Sequence, residues 1–405
     1  MKLKLNKVLE KYFKYNKLKS KQIKVIKSII KKKDTIALLT TGYGKSICYL
    51  LPALYLKKVV IIISPLISLM EDQKEKLVSL NIPCATLHGN NPYKQQEIFE
   101  IIDGDIKIIY TSPEFITSTD GLSLVETIRD KLAYFAIDEA HCISLWGHDF
   151  RPTYLKIKEI RNKFEEIPIM AVTATATFNV VQDIVEILNM KEPTLVRSTV
   201  DRPNLKLLVK TVPSFDYEGT LKILKKYNNE RTIIYVNSRK EAETIKTTLQ
   251  TKTKQPIFIY HAGLAKKIRF QLQESFSEIN NAVMVSTIAF GMGIDQTVRV
   301  VITFGSPTSL EDYFQQIGRA GRDDKPSITL LMYLKQKYAI SKSFIDKDKK
   351  DKSKNQKLIK HKGKNLGKMY EYAIKLKTCR RKYLLEYFGQ KVKWSKCDNC
   401  DNCLS

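Results

Sequence analysis

The first residues that could do chemistry are Thr40-Thr41-Gly42-Tyr43-Gly44-Lys45-Ser46. They follow an apolar run, Thr35–Leu39, and lead into a helix-compatible segment. Glycines there let backbone N–H groups approach a polyphosphate, and a helix N-terminus favours the anion. Thr41, Gly42 and Gly44 would line the phosphate cradle, Lys45 would reach the outer phosphates, and the Ser46 hydroxyl would ligate Mg²⁺. The general phosphate-loop pattern opens on glycine, whereas Leu39 stands at that position, so an ordinary glycine turn is the competing reading. A second site lies 93 residues beyond Lys45, where Asp138-Glu139 closes the apolar run Ala133–Ile137. A carboxylate at the end of a parallel strand faces the ligand crevice. Asp138 would hold Mg²⁺, and Glu139 would position and deprotonate an attacking water. The alternative is a plain acidic turn at a strand end. Taken together, the two sites point to ATP hydrolysis with Mg²⁺.

Cysteines supply a third chemistry. Cys379 is followed after 17 residues by Cys397-x-x-Cys400-x-x-Cys403. Four thiolates complete a tetrahedral Zn²⁺ site and leave no position open for substrate, which reads as structural zinc. Four cysteines can also hold an iron–sulfur cluster, the competing assignment. Asp398, Asn399, Asp401 and Asn402 are turn formers suited to tight thiolate knuckles. Cys48, Cys84 and Cys142 read as small buried hydrophobes.

These residues need a scaffold. Strand-like apolar runs occur at 35–39, 59–64, 106–112, 133–138 and 168–173, then again at 232–236, 256–260, 282–287, 298–304 and 327–333. Helix-period segments lie between them: Ser20–Lys32, Ser68–Leu80, Val180–Met190, Ser238–Thr251 and Ile268–Phe276. Alternation of this kind predicts parallel sheets covered by helices, and two series in succession predict two α/β lobes. The expected divisions are 1–203, 204–335 and a small helical zinc-binding region, 336–405. The charged stretch Lys335–Lys368 reads as either a basic helical pair or a loose linker; composition does not choose.

In 405 residues, 69 Lys+Arg against 42 Asp+Glu give a net charge of +27. That field suits a phosphate backbone, although a general lysine bias accounts for much of it. No secretory signal and no apolar run of membrane length are visible, and the cysteines are not spaced as a disulfide framework. The expectation is a soluble, intracellular protein, not secreted.

The run Asp138-Glu139-Ala140-His141-Cys142-Ile143-Ser144, followed by Trp146-Gly147-His148-Asp149-Phe150-Arg151-Pro152, resembles the RecQ DNA helicases of superfamily two. The likeness continues in order along the chain. Ser64-Pro65-Leu66-Ile67-Ser68-Leu69-Met70 resembles motif Ia, and Thr173-Ala174-Thr175 resembles motif III. Ile234-Tyr235-Val236-Asn237-Ser238-Arg239 and Tyr260-His261-Ala262-Gly263-Leu264 resemble the motif IV region. Ala289-Phe290-Gly291-Met292-Gly293-Ile294-Asp295 resembles motif V, and Gln315-Gln316-Ile317-Gly318-Arg319-Ala320-Gly321-Arg322-Asp323 resembles motif VI. Thr378-Cys379-Arg380-Arg381 and Tyr387-Phe388-Gly389 resemble the zinc subdomain.

The resemblance implies two RecA-like lobes and a set of residue roles. Gln22 would read N6 and N7 of adenine, with Tyr15 and Lys19 sandwiching the ring. The family usually has arginine at the Lys19 position and phenylalanine at Leu18, so weaker nucleotide affinity is expected. Asp295 falls with the nucleotide contacts. Arg319 and Arg322 would reach the γ-phosphate, Arg322 as the arginine finger. Trp146 and Phe150 would stack on single-stranded bases, with His148 and Arg151 relaying DNA occupancy to the ATP site. Leu145 stands where the family often has glutamine. Ser64, Asn237, Ser238, Arg239 and His261 fall with the DNA contacts. The implied activity is 3′-to-5′ DNA unwinding driven by ATP, in repair and recombination, and the implied location is the nucleus or wherever DNA is replicated. The working unit is expected to be a monomer on single-stranded or forked DNA, with no membrane partner. The chain stops at Ser405, whereas the family commonly continues into a winged helix, so translocation or strand annealing with weak unwinding is the alternative.

Overall fold

The computed structural model describes residues 2–147, 150–288, 290, 296–351 and 353–404. The chain parts once, between Val200 and Asp201, into two compact units. Unit one holds a seven-stranded sheet: β1 (Thr35–Leu38), β2 (Val59–Ile63), β3 (Cys84–Leu87), β4 (Ile108–Thr111), β5 (Leu132–Ile137), β6 (Ile169–Thr173) and β7 (Thr194–Arg197). Their order across the sheet is β3-β4-β2-β5-β6-β1-β7. Unit two holds six strands: β8 (Leu205–Thr211), β9 (Thr232–Tyr235), β10 (Ile257–Tyr260), β11 (Val283–Ser286), β12 (Val300–Gly305) and β13 (Ser327–Tyr333), in the order β10-β11-β9-β12-β13-β8. Pairing is parallel throughout both sheets.

The central strands are buried on both faces, which is why they read as continuous apolar runs rather than alternating ones. Along β2, Val59, Ile61 and Ile63 enter one core and Val60 and Ile62 the other. Along β9, Ile233 and Ile234 divide in the same way. Parallel strands bring every carboxyl end to one edge of their sheet. The loops after β1, β2, β5 and β6 therefore gather in unit one, and those after β9 and β12 in unit two.

The ten expected strands all form, each within two residues of its expected bounds, and so do the five expected helices. β3, β7 and β8 are additional. The segment 336–405 falls within the second compact unit. Cys379 and Cys400 sit in the same core as Leu205 and Leu207 of β8. The Leu207 N–H also donates to the Asn399 carbonyl at 3.1 Å. The stretch after β13 is a helical pair, Lys335–Lys350 and Gln356–Tyr370. No helix among the described residues is long and apolar enough to cross a membrane.

Candidate functional site

The phosphate loop joins β1 to the helix Lys45–Leu56. Gly42 (φ 80°) and Gly44 (φ 84°) adopt left-handed backbone there, a conformation costly for any residue with a Cβ. Gly44 caps the helix, so the free N–H groups of its first turn open onto the loop. A Cβ on Gly44 would lie 2.6 Å from Gln22 Nε2. That amide nitrogen donates to the carbonyls of Tyr43 and Gly44, at 3.1 Å each. The amide oxygen accepts from the Lys19 N–H at 2.8 Å. Lys19 Nζ donates to the Gly42 carbonyl at 3.4 Å and lies 4.9 Å from the centre of the Tyr43 ring. Gln22 and Lys19 thus hold the loop itself. The Gln22 oxygen keeps a lone pair for adenine N6. Both hydrogens of its nitrogen are engaged, so an N7 contact requires one loop carbonyl to be released. Tyr15 is 58% exposed, open to stack on a base.

The acidic pair stands at the end of β5. Asp138 is buried, and its N–H donates to the Ile63 carbonyl at 2.9 Å. Glu139 has left-handed backbone (φ 46°), and its N–H donates to Asp138 Oδ1 at 3.0 Å. Such a conformation in a non-glycine residue costs about 1–3 kcal/mol and is held by its surroundings. Here it aims Glu139 Oε1 at Lys45 Nζ, 3.4 Å away, and Oε2 at His141 Nδ1, 3.3 Å away. His141 Nδ1 also lies 2.9 Å from Thr173 Oγ1, which ties β5 to motif III. Burial, then the neighbouring Glu139 charge, pushes the Asp138 carboxyl up to about 6, against the pull of Lys45. Two adjacent, partly desolvated carboxylates with one lysine suit a divalent cation. Ser46 is at the first turn of its helix, where its hydroxyl accepts from Tyr49 OH at 3.2 Å.

The aromatic loop leaves directly from this end of β5. Gly147 packs so closely that a Cβ would lie 2.1 Å from the His141 carbonyl oxygen. Ser144 Oγ accepts from the Trp146 N–H at 3.0 Å and donates to Asp183 at 2.5 Å. Trp146 is 37% exposed, so part of its ring faces solvent. Phe150 is half-buried. The Arg151 N–H donates to the Cys142 carbonyl at 3.0 Å, and its guanidinium donates to the Pro65 carbonyl at 2.6 Å. That second bond links the aromatic loop to the segment after β2. The hydroxyls of Ser64 and Thr175 are buried without a hydrogen-bond partner among the described residues. His148 and Asp295 lie outside the described residues.

In unit two, the motif VI turn is pinned by two residues that motif reading missed. Arg202 donates to the Ala320 carbonyl at 3.0 Å, and Asn204 to the Gly321 carbonyl at 2.8 Å. Arg319 and Arg322, both half-buried, come near the buried Tyr235 hydroxyl, which donates to the Phe290 carbonyl at 3.0 Å. Burial raises that hydroxyl's pKa and the two guanidiniums oppose the rise. Asn237 Nδ2 reaches the Ser306 carbonyl at 3.4 Å. The Ser238 hydroxyl caps the helix Arg239–Gln250 by accepting from the Glu241 N–H at 3.2 Å. Arg239 lies over Gly263. His261 is buried, its Nε2 3.7 Å from Glu243. The Ser238 hydroxyl is thus engaged as a helix cap, whereas both ring nitrogens of His261 are buried without a hydrogen-bond partner among the described residues.

The four thiols of Cys379, Cys397, Cys400 and Cys403 lie within 4.8 Å of one another. This donor set fits tetrahedral zinc. The knuckle is held from outside: Asn402 Nδ2 donates to the carbonyls of Leu376 and Thr378 at 2.8 Å each, and Arg380 Nε donates to Asp401 at 2.5 Å. Cys48 and Cys84 are elsewhere and buried, their thiols pushed up to about 12 chiefly by burial.

A nucleotide loop, an acidic strand end and an arginine turn on two parallel-sheet units define a helicase motor class. The DEAD/DEAH box helicase model matches residues 19–184, the helicase conserved C-terminal domain 217–324 and the RecQ zinc-binding domain 335–404. The chain belongs to the RecQ family of helicases. It is 37% identical over 401 residues to the ATP-dependent DNA helicase RecQ of Haemophilus influenzae, covering 98% of this chain and 63% of that protein. It is 38% identical over 411 residues to the RecQ-like DNA helicase blm-1 of Caenorhabditis elegans, covering 98% and 41%. A protein of Acanthamoeba polyphaga mimivirus that carries the name of an ATP-dependent RNA helicase is 40% identical over 401 residues, covering 99% and 72%. The chain thus spans under two thirds of the length of these two cellular relatives. Among solved structures, Mss116p bound to ssRNA and AMP-PNP matches with TM-score 0.67 at 20% identity, over 88% of this chain and 76% of that one. That likeness concerns the fold alone.

Proposed function

We propose that this chain is an ATP-dependent DNA helicase that translocates 3′-to-5′ on single-stranded DNA and separates duplexes, in the service of repair and recombination. The observation that carries the reading is the continuity from Lys45–Glu139 through His141 and Gly147 to Trp146 and Arg151. A base stacked on Trp146 would bear on the same short segment that orients the hydrolytic carboxylate. Lys45, Ser46, Asp138 and Glu139 would hold ATP and Mg²⁺, with Arg319 and Arg322 offering positive charge to the transferred phosphoryl group. Mg²⁺ would neutralise the developing phosphate charge. Zinc would be held by the four thiolates as a structural ion.

The test is ATP-dependent separation of a duplex with a 3′ tail beside its 5′-tailed twin. The 3′-tailed substrate alone should be unwound, and Lys45→Ala should abolish both unwinding and DNA-stimulated hydrolysis. If neither duplex opens while hydrolysis is stimulated by DNA, the activity is translocation or annealing. RNA unwinding is the second reading, favoured by the name of the viral relative. RNA that stimulates hydrolysis as well as DNA of the same sequence would replace the DNA assignment.

A further inference from the structure

The helical pair after β13 has no role in hydrolysis, yet it carries much of the chain's charge. Residues 335–370 hold thirteen lysines against three aspartates, a large share of a net +27 in under a tenth of the length. The two helices run antiparallel. The Tyr338 and Tyr370 rings lie 4.4 Å apart, and a Cβ on Gly363 would meet the Ile345 side chain at 3.5 Å. The outer helix, Lys335–Lys350, buries no residue and leaves Ile340 and Phe344 exposed. The inner helix packs through Ile359, Leu366 and Met369.

On the inner helix, Lys357, Lys360 and Lys364 are exposed and have no ion pair or hydrogen bond among the described residues. Lys360, Lys364 and Lys368 follow one another at four-residue spacing, where like charges on a helix repel. Of these three, Lys368 alone is relieved, by Glu371 at 2.9 Å. A helix that keeps such repulsion is more stable with a polyanion beside it.

We infer that the exposed lysine stripe of this helical pair, centred on Lys357, Lys360 and Lys364, is a second nucleic-acid site that binds the phosphate backbone of duplex DNA. From Lys357 to Lys364 the inner helix rises about 10 Å, alongside which a duplex presents about six phosphates. Lysines are point charges that suit a phosphate backbone and read no base. Single-strand sites combine such charge with rows of aromatic platforms. Phe344 is the exposed aromatic of the outer helix, and the inner helix's Tyr370 is taken by Tyr338. Duplex is therefore the better fit. The inference rests on the reading of the chain as a DNA motor for the identity of its polyanion.

The experiment compares the full chain with the triple variant Lys357→Gln, Lys360→Gln, Lys364→Gln, without ATP, by fluorescence anisotropy over a salt series. Probes are a blunt 24-base-pair duplex and a 24-nucleotide oligothymidine. For the duplex, the log–log salt slope should become shallower by up to about 2.7, at about 0.9 for each phosphate no longer neutralised. Oligothymidine binding and oligothymidine-stimulated hydrolysis should stay within twofold. An unchanged duplex slope overturns the inference and leaves the stripe to an acidic protein or to solvent. Equal weakening on both probes overturns it in favour of a single-strand path. Because the binding arm uses no ATP, failure of the motor assignment would show in the Lys45→Ala comparison and not here.

Discussion

Gly44→Ala tests whether the geometry of the phosphate loop, and not its charge alone, makes the nucleotide site. The backbone at Gly44 is left-handed, φ 84°, which costs an alanine roughly 1–2 kcal/mol. The new Cβ would lie 2.6 Å from Gln22 Nε2. That amide is the end of a flexible side chain and can withdraw, but withdrawal breaks its bonds to the Tyr43 and Gly44 carbonyls. Each such bond contributes about 0.5–1.5 kcal/mol net. The competent loop should therefore become about 2–5 kcal/mol less favourable than a relaxed one. Because apparent affinity scales with the competent fraction, ATP binding should weaken about 30-fold to a few thousand-fold. Equilibrium titration with a fluorescent ATP analogue reads this directly. Gly89→Ala is the control: nothing lies within 4 Å of its added Cβ, and affinity should stay within twofold. An ATP affinity within threefold of the parent for Gly44→Ala would refute the reasoning, because the loop would then not depend on the glycine conformation or on Gln22.

Three further substitutions probe the metal knuckle and the aromatic loop. Cys400→Ser should remove zinc and lower the melting temperature of the protein, since that thiol is buried against β8 and the metal supplies folding energy. Each kcal/mol of destabilisation should shift Tm by about 2–4 °C for a unit of this size; one bound zinc with an unchanged Tm would contradict the structural role. Trp146→Ala should weaken oligothymidine binding by about 1–3 kcal/mol, with Trp146→Phe keeping most of the affinity; equal binding by all three proteins would place the strand elsewhere. Arg151→Ala removes the bond to the Pro65 carbonyl, so basal hydrolysis should persist while DNA stimulation falls at least fivefold. Retained stimulation would show that occupancy is not relayed through that hydrogen bond.

The sequence was most readable where physics makes signals local. Central parallel strands are buried on both faces, so β2 (Val59–Ile63) and β9 (Thr232–Tyr235) stand out as unbroken apolar runs. β3, β7 and β8 escaped notice, and all three lie at sheet edges. β7 and β8 keep an open face, as the exposed Leu195, Lys206 and Lys210 show, so their sequences need not be apolar, whereas β3 is buried throughout but only four residues long. The site divides in the same way. The phosphate-loop residues and the acidic pair are each contiguous runs, so each could be read as a group. Arg202 and Asn204 hold the Arg319–Arg322 turn through backbone carbonyls from more than a hundred residues away, and Tyr235 lies near its guanidiniums, contacts that no spacing encodes. Composition could not decide between helix and linker for Lys335–Lys368, because the outer helix buries no residue and the inner helix's apolar face is reduced to Ile359, Leu366 and Met369 among many lysines. Its helical state follows from sparse packing, chiefly Tyr338 against Tyr370 and Ile345 against Gly363. A segment ordered by so little and charged so heavily is the part of the fold whose stability should depend most on what it binds.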